Sequence, residues 1–513
     1  MDITKFIVLG VYVAILFLIG IVASRRVKSM SDFYVGGKRL GYWAVAFSAR
    51  ATGESGWLLI GLTGMGALSG LSAYWVVAGE VLGVAISWWF MAKKFKRKSD
   101  QYGSITVPDY LESHFKTTKK TLRILAATIL SVFVIIYVSS QIDVTGKAFE
   151  SMMGMDYYWG AILGFFIVLS YIFIGGYLAA VWSDFFQGIL MFLGLVLLPI
   201  VVFFSMDGGP GIVDGLNNID PALTNIWGTS DDVWLNVATM LGFAMIGLGF
   251  LGSPQVYVRF MSVKDEKEID KGKWVAIVFT LLTDAAAVTI GILGRIIFTE
   301  SGQDPESVLG NGGEGVLSLM ASEQFLPYII VAIYVAIVLS AIMSTIDSLL
   351  VIASSAITRD FYQKIFRPDL KDKDLGKLSR WVTLTMALIA LAIAMIIAVV
   401  SPNHTVFWLV IFGWSGIAAS FCPVIILSLF WKGLSEKGAI AAMIAGFLCV
   451  PIFKFVVQEM DGIGPYFEKL DVLAPSFVIS MIVAWIFSKL YPNKVDTEIQ
   501  SIDEAQNPGL VEE

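Results

Sequence analysis

The sequence predicts an all-α integral membrane protein, and its composition and its apolar runs both indicate this class. Of its 513 residues, 57% are hydrophobic and 15% are charged, and the mean hydropathy is +0.76. A soluble globular domain is only about 45–50% apolar. Apolar runs of about 20 residues recur along the chain, as helices that cross a bilayer require, and they lack the alternating pattern of a barrel. Two cysteines inside apolar runs predict no disulfide framework.

Thirteen membrane spans are predicted, at about 20 residues per crossing. They lie near residues 6–23, 43–68, 73–92, 122–147, 157–177, 183–206, 233–254, 274–298, 326–356, 380–400, 404–430, 437–457 and 472–490. The positive cluster of the first run follows it instead of preceding it, so we interpret this run as a retained span and not as a signal peptide.

The loops between the predicted spans alternate in charge. The loops rich in Lys and Arg are 24–42, 93–121, 259–273 and 359–379. Loops 207–232 and 299–325 contain no Lys or Arg and are acidic. Because cytoplasmic loops carry the excess of basic residues, this pattern predicts a cell (inner) membrane protein with its N-terminus outside and its C-terminus in the cytoplasm. The polar tail 491–513 is predicted to be disordered.

Two predicted spans are interrupted by glycine. The second contains ARATGESGW at 49–57, and the seventh contains LGFAMIGLGFLGSP at 241–254. Glycine and proline free backbone groups that protein, water or a ligand must satisfy at membrane depth. A single glycine often serves only close helix packing. Two interrupted spans, each at the start of a block of five spans, indicate an inverted-repeat transporter with its site at two broken helices.

Hydroxyl groups cluster in the ninth predicted span, LSAIMSTIDSLL at 339–350. Ser344, Thr345 and Ser348 lie at helical spacing around Asp347. Oxygen ligands suit a hard cation such as sodium. Alternatively, such hydroxyls bond only to their own helix carbonyls.

Other ionisable residues inside predicted spans have less certain roles. Asp184 starts its predicted span and is a candidate N-cap. Glu80, Asp143 and Asp284 have no partner that the sequence identifies.

Arg50 and Glu54 are four residues apart, so a helix would place them on one face. One interpretation is a structural ion pair that braces the broken helix. The other is contact with a zwitterionic or charged substrate, or a carboxylate placed near the sodium ion.

Seven blocks of the chain together resemble the sodium/solute symporter family. They are DFYVGGKRLG (32–41), SGWLLIGLTG (55–64), TVPDYLESHF (106–115), FIGGYLAAVWSD (173–184), GLGFLGSPQVYVRFM (247–261), SAIMST (340–345) and SSAITRDFY (354–362). The similarity runs from about residue 5 to 490 and is greatest to the sodium/proline symporter branch.

This resemblance implies a LeuT-like core of ten helices in two inverted five-helix repeats. The implied parts are a leading helix with its cytoplasmic loop (1–42), the first repeat (43–206), an extracellular loop (207–232), the second repeat (233–430), two trailing helices (431–490) and the cytoplasmic tail (491–513).

The resemblance also implies two ion sites. The sodium site would use the backbone carbonyls of Ala51, Glu54 and Ala341 with the hydroxyls of Ser344 and Thr345. A second ion site, known in the sialic-acid branch, would map to Asp184, Ser344, Thr345, Asp347 and Ser348. Asp347 departs from the serine of that branch, so a retained second site and a proton-carrying aspartate are both open.

The implied substrate pocket departs from the proline branch. Its residues would be Arg50, Glu54, Ser55, Gly56, Trp57, Tyr137, Ile246, Phe250 and Pro254. Ile246 replaces the pocket tryptophan of the branch, and Phe250 replaces its tyrosine. Losing an indole and a phenol changes the shape and hydrogen bonding of a pocket.

The sequence therefore predicts a secondary active transporter and not an enzyme. We expect sodium, as coupling ion, to drive symport of a small organic solute such as proline. A proton-coupled symporter, with Glu54 or Asp347 titrating, is one alternative. A solute sensor is another, and the short tail disfavours it. The expected partners are the solute and the lipid bilayer, with no nucleic acid and no obligatory protein partner.

Overall fold

The structure, a computed structural model, describes residues 3–27, 29–117, 120–206, 211–370, 372–401 and 404–493. From residue 494 onward, the predicted tail lies outside the described residues. The regular secondary structure of the described residues is helical, apart from one isolated parallel β-bridge between Leu40 and Val263.

Sixteen helices build the bundle in the described residues. They are α1 (Ile3–Ser24), α2 (Tyr42–Gly56), α3 (Leu62–Ser69), α4 (Tyr74–Ile86), α5 (Ala92–Gln101), α6 (Val107–Phe115), α7 (Thr121–Met153), α8 (Tyr157–Ser205), α9 (Val233–Met245), α10 (Pro254–Ser262), α11 (Glu266–Phe298), α12 (Tyr328–Ser355), α13 (Asp372–Val400), α14 (Val406–Phe430), α15 (Glu436–Ile452) and α16 (Leu473–Leu490). Within the same described residues, five further α-helices of four to eight residues lie in the connections, together with 3₁₀ and π turns, among them the 3₁₀ turn Ile246–Leu251 between α9 and α10.

Eleven helical stretches of the described residues are long and apolar enough to cross a membrane. One of them, Tyr42–Gln101, contains two predicted spans, 43–68 and 73–92. Its chain turns at Gly70, where φ is +56° and an added Cβ would lie 2.2 Å from the Leu223 carbonyl oxygen. Tyr157–Ile172 is a shorter apolar helix. The count of thirteen spans therefore stays a prediction.

Helix α2 lies at the centre of the bundle. It packs against α8, α11 and α12, and every residue from Ser48 to Gly56 is buried. At the periphery, α1 packs against α8 and α12, while α15 and α16 pack against each other and against α14. Because α2 is surrounded by protein, the polar groups of ARATGESGW face other helices and not lipid.

Helix α4 approaches the second interrupted segment very closely. A Cβ on Gly79 would lie 2.0 Å from the Ala244 carbonyl oxygen, and one on Gly247 would lie 2.0 Å from that of Gly79. No larger residue fits at either position. This close contact places α4 in the core, where Glu80, the residue after Gly79, is buried.

Helix α8 contains two predicted spans joined at a kink. The kink lies at Gly176, with φ 56° and ψ −150°. Asp184 lies two turns beyond it, inside the helix, so the N-cap interpretation of Asp184 is wrong. The residue that caps α8 is Asp156, whose carboxylate accepts the N–H groups of Tyr158 and Trp159.

Candidate functional site

The helix that carries ARATGESGW breaks at Ser55, where φ is 58° and ψ is −175°. This conformation is almost confined to glycine, and another residue adopts it at a cost of about 1–3 kcal/mol. Two hydrogen bonds hold it. The Gly56 N–H donates to Gln141 Oε1 at 3.0 Å, and the Trp57 N–H donates to Ser55 Oγ at 3.1 Å. The predicted break is therefore present, but at the serine and not at a glycine.

One face of α2 meets the hydroxyl groups of α12. Ser344 Oγ lies 3.0 Å from the carbonyl oxygens of both Ala51 and Ala341. Thr345 Oγ1 lies 3.2 Å from the carbonyl oxygens of Ala341 and Thr52. All these residues are buried. The structure thus brings together four of the five groups predicted to bind sodium.

This set of neutral oxygens fits a hard cation. Carbonyl and hydroxyl oxygens are ligands of such ions, and each keeps a further lone pair after one hydrogen bond. The Glu54 carbonyl, the fifth predicted ligand, accepts a hydrogen bond from the Trp57 N–H. The Thr52 carbonyl, which the sequence did not identify, lies beside Thr345 and is available as a ligand.

A guanidinium group lies at the predicted second ion site. Arg259 Nη2 is 3.0 Å from Asp184 Oδ2, donates to Thr52 Oγ1 at 2.7 Å and contacts Ser348 Oγ. The hydroxyls of Ser48 and Ser348 donate to the same Asp184 oxygen at 2.6 and 3.2 Å. Because Arg259 balances its charge, Asp184 attracts a cation less strongly than an unpaired carboxylate would.

Asp347, the remaining carboxylate of that predicted site, is bound to α8. Its Oδ2 accepts hydrogen bonds from the Tyr171 hydroxyl at 3.1 Å and from Ser183 Oγ at 3.2 Å. Its Oδ1 is buried without a hydrogen-bond partner among the described residues.

A second face of α2 carries charge. Arg50 Nη2 contacts Glu54 Oε1 and lies 3.6 Å from Glu80 Oε2 on α4. The guanidinium carbon lies 4.4 Å from the centre of the Phe250 ring. Carboxylate oxygens of Glu54, Glu80 and Asp284 all lie within 4.8 Å of one another. The predicted pairing of Arg50 with Glu54 is therefore present, and two further carboxylates join it.

Aromatic rings form one wall of the predicted pocket. The Trp414 ring lies 5.0 Å from that of Phe250 and 6.5 Å from that of Tyr137, measured between ring centres. Its Nε1 donates to the Ile246 carbonyl at 3.2 Å. Trp414 therefore joins α14 to the interrupted segment after α9, and it supplies an indole in a pocket where the sequence indicated a lost one.

A cavity of about 770 Å³ leads to this wall, and we call it the vestibule. Its lining includes Ile246 and Phe407, together with Thr229 and Ser230 of the acidic loop 207–232. Phe407 packs against Trp57, with ring centres 6.5 Å apart. The vestibule thus ends at the residues predicted to bind substrate.

Pro254, another predicted pocket residue, begins α10. It lines a separate small cavity with Thr106 and Ser355.

An ionic network holds the start of α14, and we call it the outer network. Lys147 Nζ donates to the His404 carbonyl at 2.9 Å and lies 3.5 Å from Glu314 Oε2. Glu314 Oε1 accepts the Val406 N–H at 2.5 Å, and His404 Nε2 lies 2.9 Å from Asp143 Oδ2. Partial burial lowers the pKa of His404, but the hydrogen bond to Asp143 and its charge outweigh this, so the net shift is upward.

The sequence did not identify several residues of the site. Arg259 was placed at the edge of the basic loop 259–273, but it is fully buried in α10. Its position in an apolar run, QVYVRFM, was the available signal. No comparable signal linked Glu80 or Asp284 to Arg50, because their helices are distant in sequence.

Comparison with known proteins places these features in a family. A profile of the sodium:solute symporter family matches residues 33–446. The high-affinity proline transporter PutP of Bacillus subtilis is 37% identical over 481 residues, which cover 92% of this chain and 95% of that protein. A sodium/proline symporter of Staphylococcus aureus is 33% identical over 506 residues, covering 94% and 92%.

A solved structure shares the fold. A Na+-coupled sialic acid symporter in a substrate-bound outward-open state superposes with a TM-score of 0.77 at 20% identity, covering 95% of this chain and 98% of that one. The predicted all-α, LeuT-like fold is confirmed, and the relatives confirm the predicted resemblance and the prediction of a transporter.

Proposed function

The chain belongs to the sodium:solute symporter family, and on that premise we propose that it carries proline across the membrane by symport with sodium. The family implies sodium as the coupling ion, and the two relatives named for proline support the substrate. The observation that carries the proposal is the meeting of Ser344 and Thr345 with the carbonyls at the end of α2.

These oxygens would hold the coupling ion between α2 and α12. Bound sodium supplies a positive charge that these neutral oxygens can share in place of water. Ser344 and Thr345 already join the two helices, so an ion between them would strengthen the contact that keeps α2 against α12. Loss of the ion on the cytoplasmic side would then free α2 to move, as alternating access requires.

The solute would bind beside the break in α2. The proposed wall consists of Trp57, Tyr137 and Phe250, with Ile246 towards the vestibule. Trp57 Nε1 and Gln141 Nε2 are buried donors with no hydrogen-bond partner among the described residues. A proline carboxylate within reach of either donor would satisfy it, and the pyrrolidine ring of proline suits an aromatic wall.

Arg50 and Glu54 would brace this wall from behind. The guanidinium faces the Phe250 ring and contacts Glu54, so both charges are engaged within the protein. We propose that the pair holds Phe250 in place, while Ser55 and Gly56 present the broken backbone to the solute.

The proposed orientation follows from the loops. The basic loops would face the cytoplasm, the N-terminus and the vestibule would lie outside, and the C-terminus would lie inside. The division into repeats 43–206 and 233–430 agrees with breaks in the first helix of each. Proline and the lipid bilayer are the proposed partners, without an obligatory protein or nucleic-acid partner.

Uptake in proteoliposomes tests this function. With an inward sodium gradient, labelled proline should accumulate saturably, and replacing sodium by choline should abolish accumulation. Competition by other amino acids, sugars and carboxylates would define the substrate class.

Three outcomes would contradict parts of the proposal. Accumulation that follows an imposed proton gradient without sodium would favour the proton-coupled alternative. Saturable accumulation of another solute, but not of proline, would contradict the proposed substrate and leave the proposed sodium coupling standing. Proline binding without accumulation would indicate a sensor.

A further inference from the structure

The charged face of α2 has one cation for three carboxylates. We call Glu54, Glu80 and Asp284 the carboxylate cluster. Among the ion pairs of the described residues, Arg50 joins Glu54 and Glu80, and none reaches Asp284. Asp284 Oδ1 accepts a hydrogen bond from the Thr283 hydroxyl at 3.2 Å, and the Asp284 carboxyl lies within hydrogen-bonding reach of the Glu80 carboxyl. With every group ionised, this buried region has two negative charges in excess.

Asp284 is a buried side chain that lacks the partner its charge requires. Its Oδ2 accepts no hydrogen bond from the described residues, and neither does Glu80 Oε2. Both side chains are buried. An unpaired carboxylate in such surroundings is strongly unfavourable, so it is normally neutralised by a proton, balanced by a second charge or bound to a metal ion.

The spacing of the oxygens fits one ion. One oxygen from each member of the carboxylate cluster lies within 4.8 Å of the other two. Hard cations such as calcium bind oxygen at about 2.3–2.6 Å, so ligands on opposite sides of one ion lie about 4.6–5.2 Å apart. We propose that the carboxylate cluster is a binding site for a hard metal cation, either sodium or calcium.

This site goes beyond the proposed function and is separate from the proposed sodium site. Its ligands are carboxylate side chains on α2, α4 and α11, whereas the other site uses neutral oxygens between α2 and α12. The Phe250 ring covers Arg50 on this side, and the vestibule reaches Ile246 one turn earlier.

Equilibrium binding of radioactive sodium and of radioactive calcium to the purified full-length protein tests the proposal. Measurements are made in choline chloride at fixed pH. In a Ser344→Ala background, which weakens the proposed sodium site, one of the two cations should still bind. Adding Asp284→Asn should weaken that binding at least 10-fold. Glu80→Gln should have the same effect and serves if the first variant does not fold.

Asp360→Asn is the matched control. Asp360 is also a fully buried carboxylate, and its partner Arg123 keeps ion pairs with Asp109 and Glu112. This control should bind the cation as its Ser344→Ala parent does.

Two results would overturn the proposal. One is that neither cation binds to the Ser344→Ala protein, and the other is that Asp284→Asn and Glu80→Gln leave binding unchanged. In either case the carboxylate cluster shares a proton or serves only as a brace. Sodium-driven proline uptake by the wild-type protein is measured in parallel, because its failure contradicts the proposed function and leaves the cation-binding result standing.

Discussion

The two faces of α2 use opposite chemistry to hold a broken helix in place. Towards α12, the face consists of neutral carbonyl and hydroxyl oxygens that bond to one another. Towards α4 and α11, it consists of Arg50 and three carboxylates, with oxygens that have no hydrogen-bond partner among the described residues. A neutral, satisfied face can gain and lose an ion at small cost, whereas removing Arg50 from the charged face leaves buried carboxylates uncompensated and is strongly destabilising.

The largest expected effect comes from removing Arg50, the one cation that the described residues place on the charged face. Arg50→Gln leaves buried carboxylates unpaired and should lower the free energy of unfolding by about 3–5 kcal/mol. Thermal or denaturant melting in detergent measures the change. Because Arg50→Gln together with Glu54→Gln removes both partners of the pair, the double variant should recover part of the loss.

Arg97→Gln is the matched control for this comparison. Arg97 also pairs with a glutamate, Glu266, but it is 69% exposed. Its removal should change stability little, because exposed ion pairs contribute little. Equal melting temperatures of the Arg50 and Arg97 variants would show that Arg50 is not needed to compensate the buried carboxylates of the charged face.

A smaller effect should follow from crowding the contact between the charged face and the pocket wall. A Cβ on Gly53 would lie 2.7 Å from Phe250 Cε1. Gly53→Ala should therefore push the ring away from Arg50, with a loss of about 1–3 kcal/mol in stability. Because Phe250 also belongs to the proposed pocket, proline uptake should fall about tenfold, which flux measurements in proteoliposomes would detect.

Gly10→Ala provides the control for that substitution. Nothing lies within 4 Å of a Cβ at Gly10 in α1. Uptake and stability should be unchanged or slightly improved there. Normal proline transport by the Gly53→Ala protein would show that Phe250 is not part of the substrate pocket.

The smallest expected effect concerns the outer network, which contacts neither face of α2 directly. Asp143 raises the pKa of His404 in the folded protein. The pairing of His404 with Asp143 therefore contributes its full stabilisation of the folded protein below about pH 6.5, the usual pKa of histidine. This contribution is lost as the pH rises through the raised pKa of His404. The melting temperature of the wild-type protein should fall as the pH rises from about 6.5 through the raised pKa, by an amount equivalent to about 1 kcal/mol.

His404→Gln should flatten this pH dependence. The charged groups of the outer network (Asp143, Lys147 and Glu314) remain in that variant, and so does Tyr157, whose hydroxyl donates to Asp143. The same fall in melting temperature in the variant would assign the pH dependence to one of them.

More features of the neutral face of α2 than of its charged face were predictable from the sequence. Glycines in a short segment predicted the break in α2, because that feature is local. The family resemblance implied that Ser344 and Thr345 meet the carbonyls at the end of α2, and Ser344 Oγ lies 3.0 Å from the Ala51 carbonyl. The position of the break at Ser55 depends on Gln141, which lies on another helix. No local pattern identifies such a partner.

The charged face and Arg259 show the same limit. Glu80 and Asp284 meet Arg50 because α4 and α11 pack around α2, and a single sequence does not state which helices meet. Arg259 is a basic residue close to a predicted loop, so charge patterning assigned it to the cytoplasmic surface. Its burial against Asp184 follows from the helical segment α10, which extends the seventh span beyond its predicted end.

The sodium dependence of proline uptake by Ser344→Ala and Ser340→Ala proteoliposomes tests the central claim most directly. Both serines lie on α12, but Ser344 faces the Ala51 carbonyl, whereas Ser340 bonds to the Ala336 carbonyl and the Tyr12 hydroxyl. If the neutral face of α2 holds the coupling ion, the sodium concentration for half-maximal uptake should rise at least tenfold in Ser344→Ala and stay unchanged in Ser340→Ala. An unchanged sodium dependence in Ser344→Ala would contradict the account.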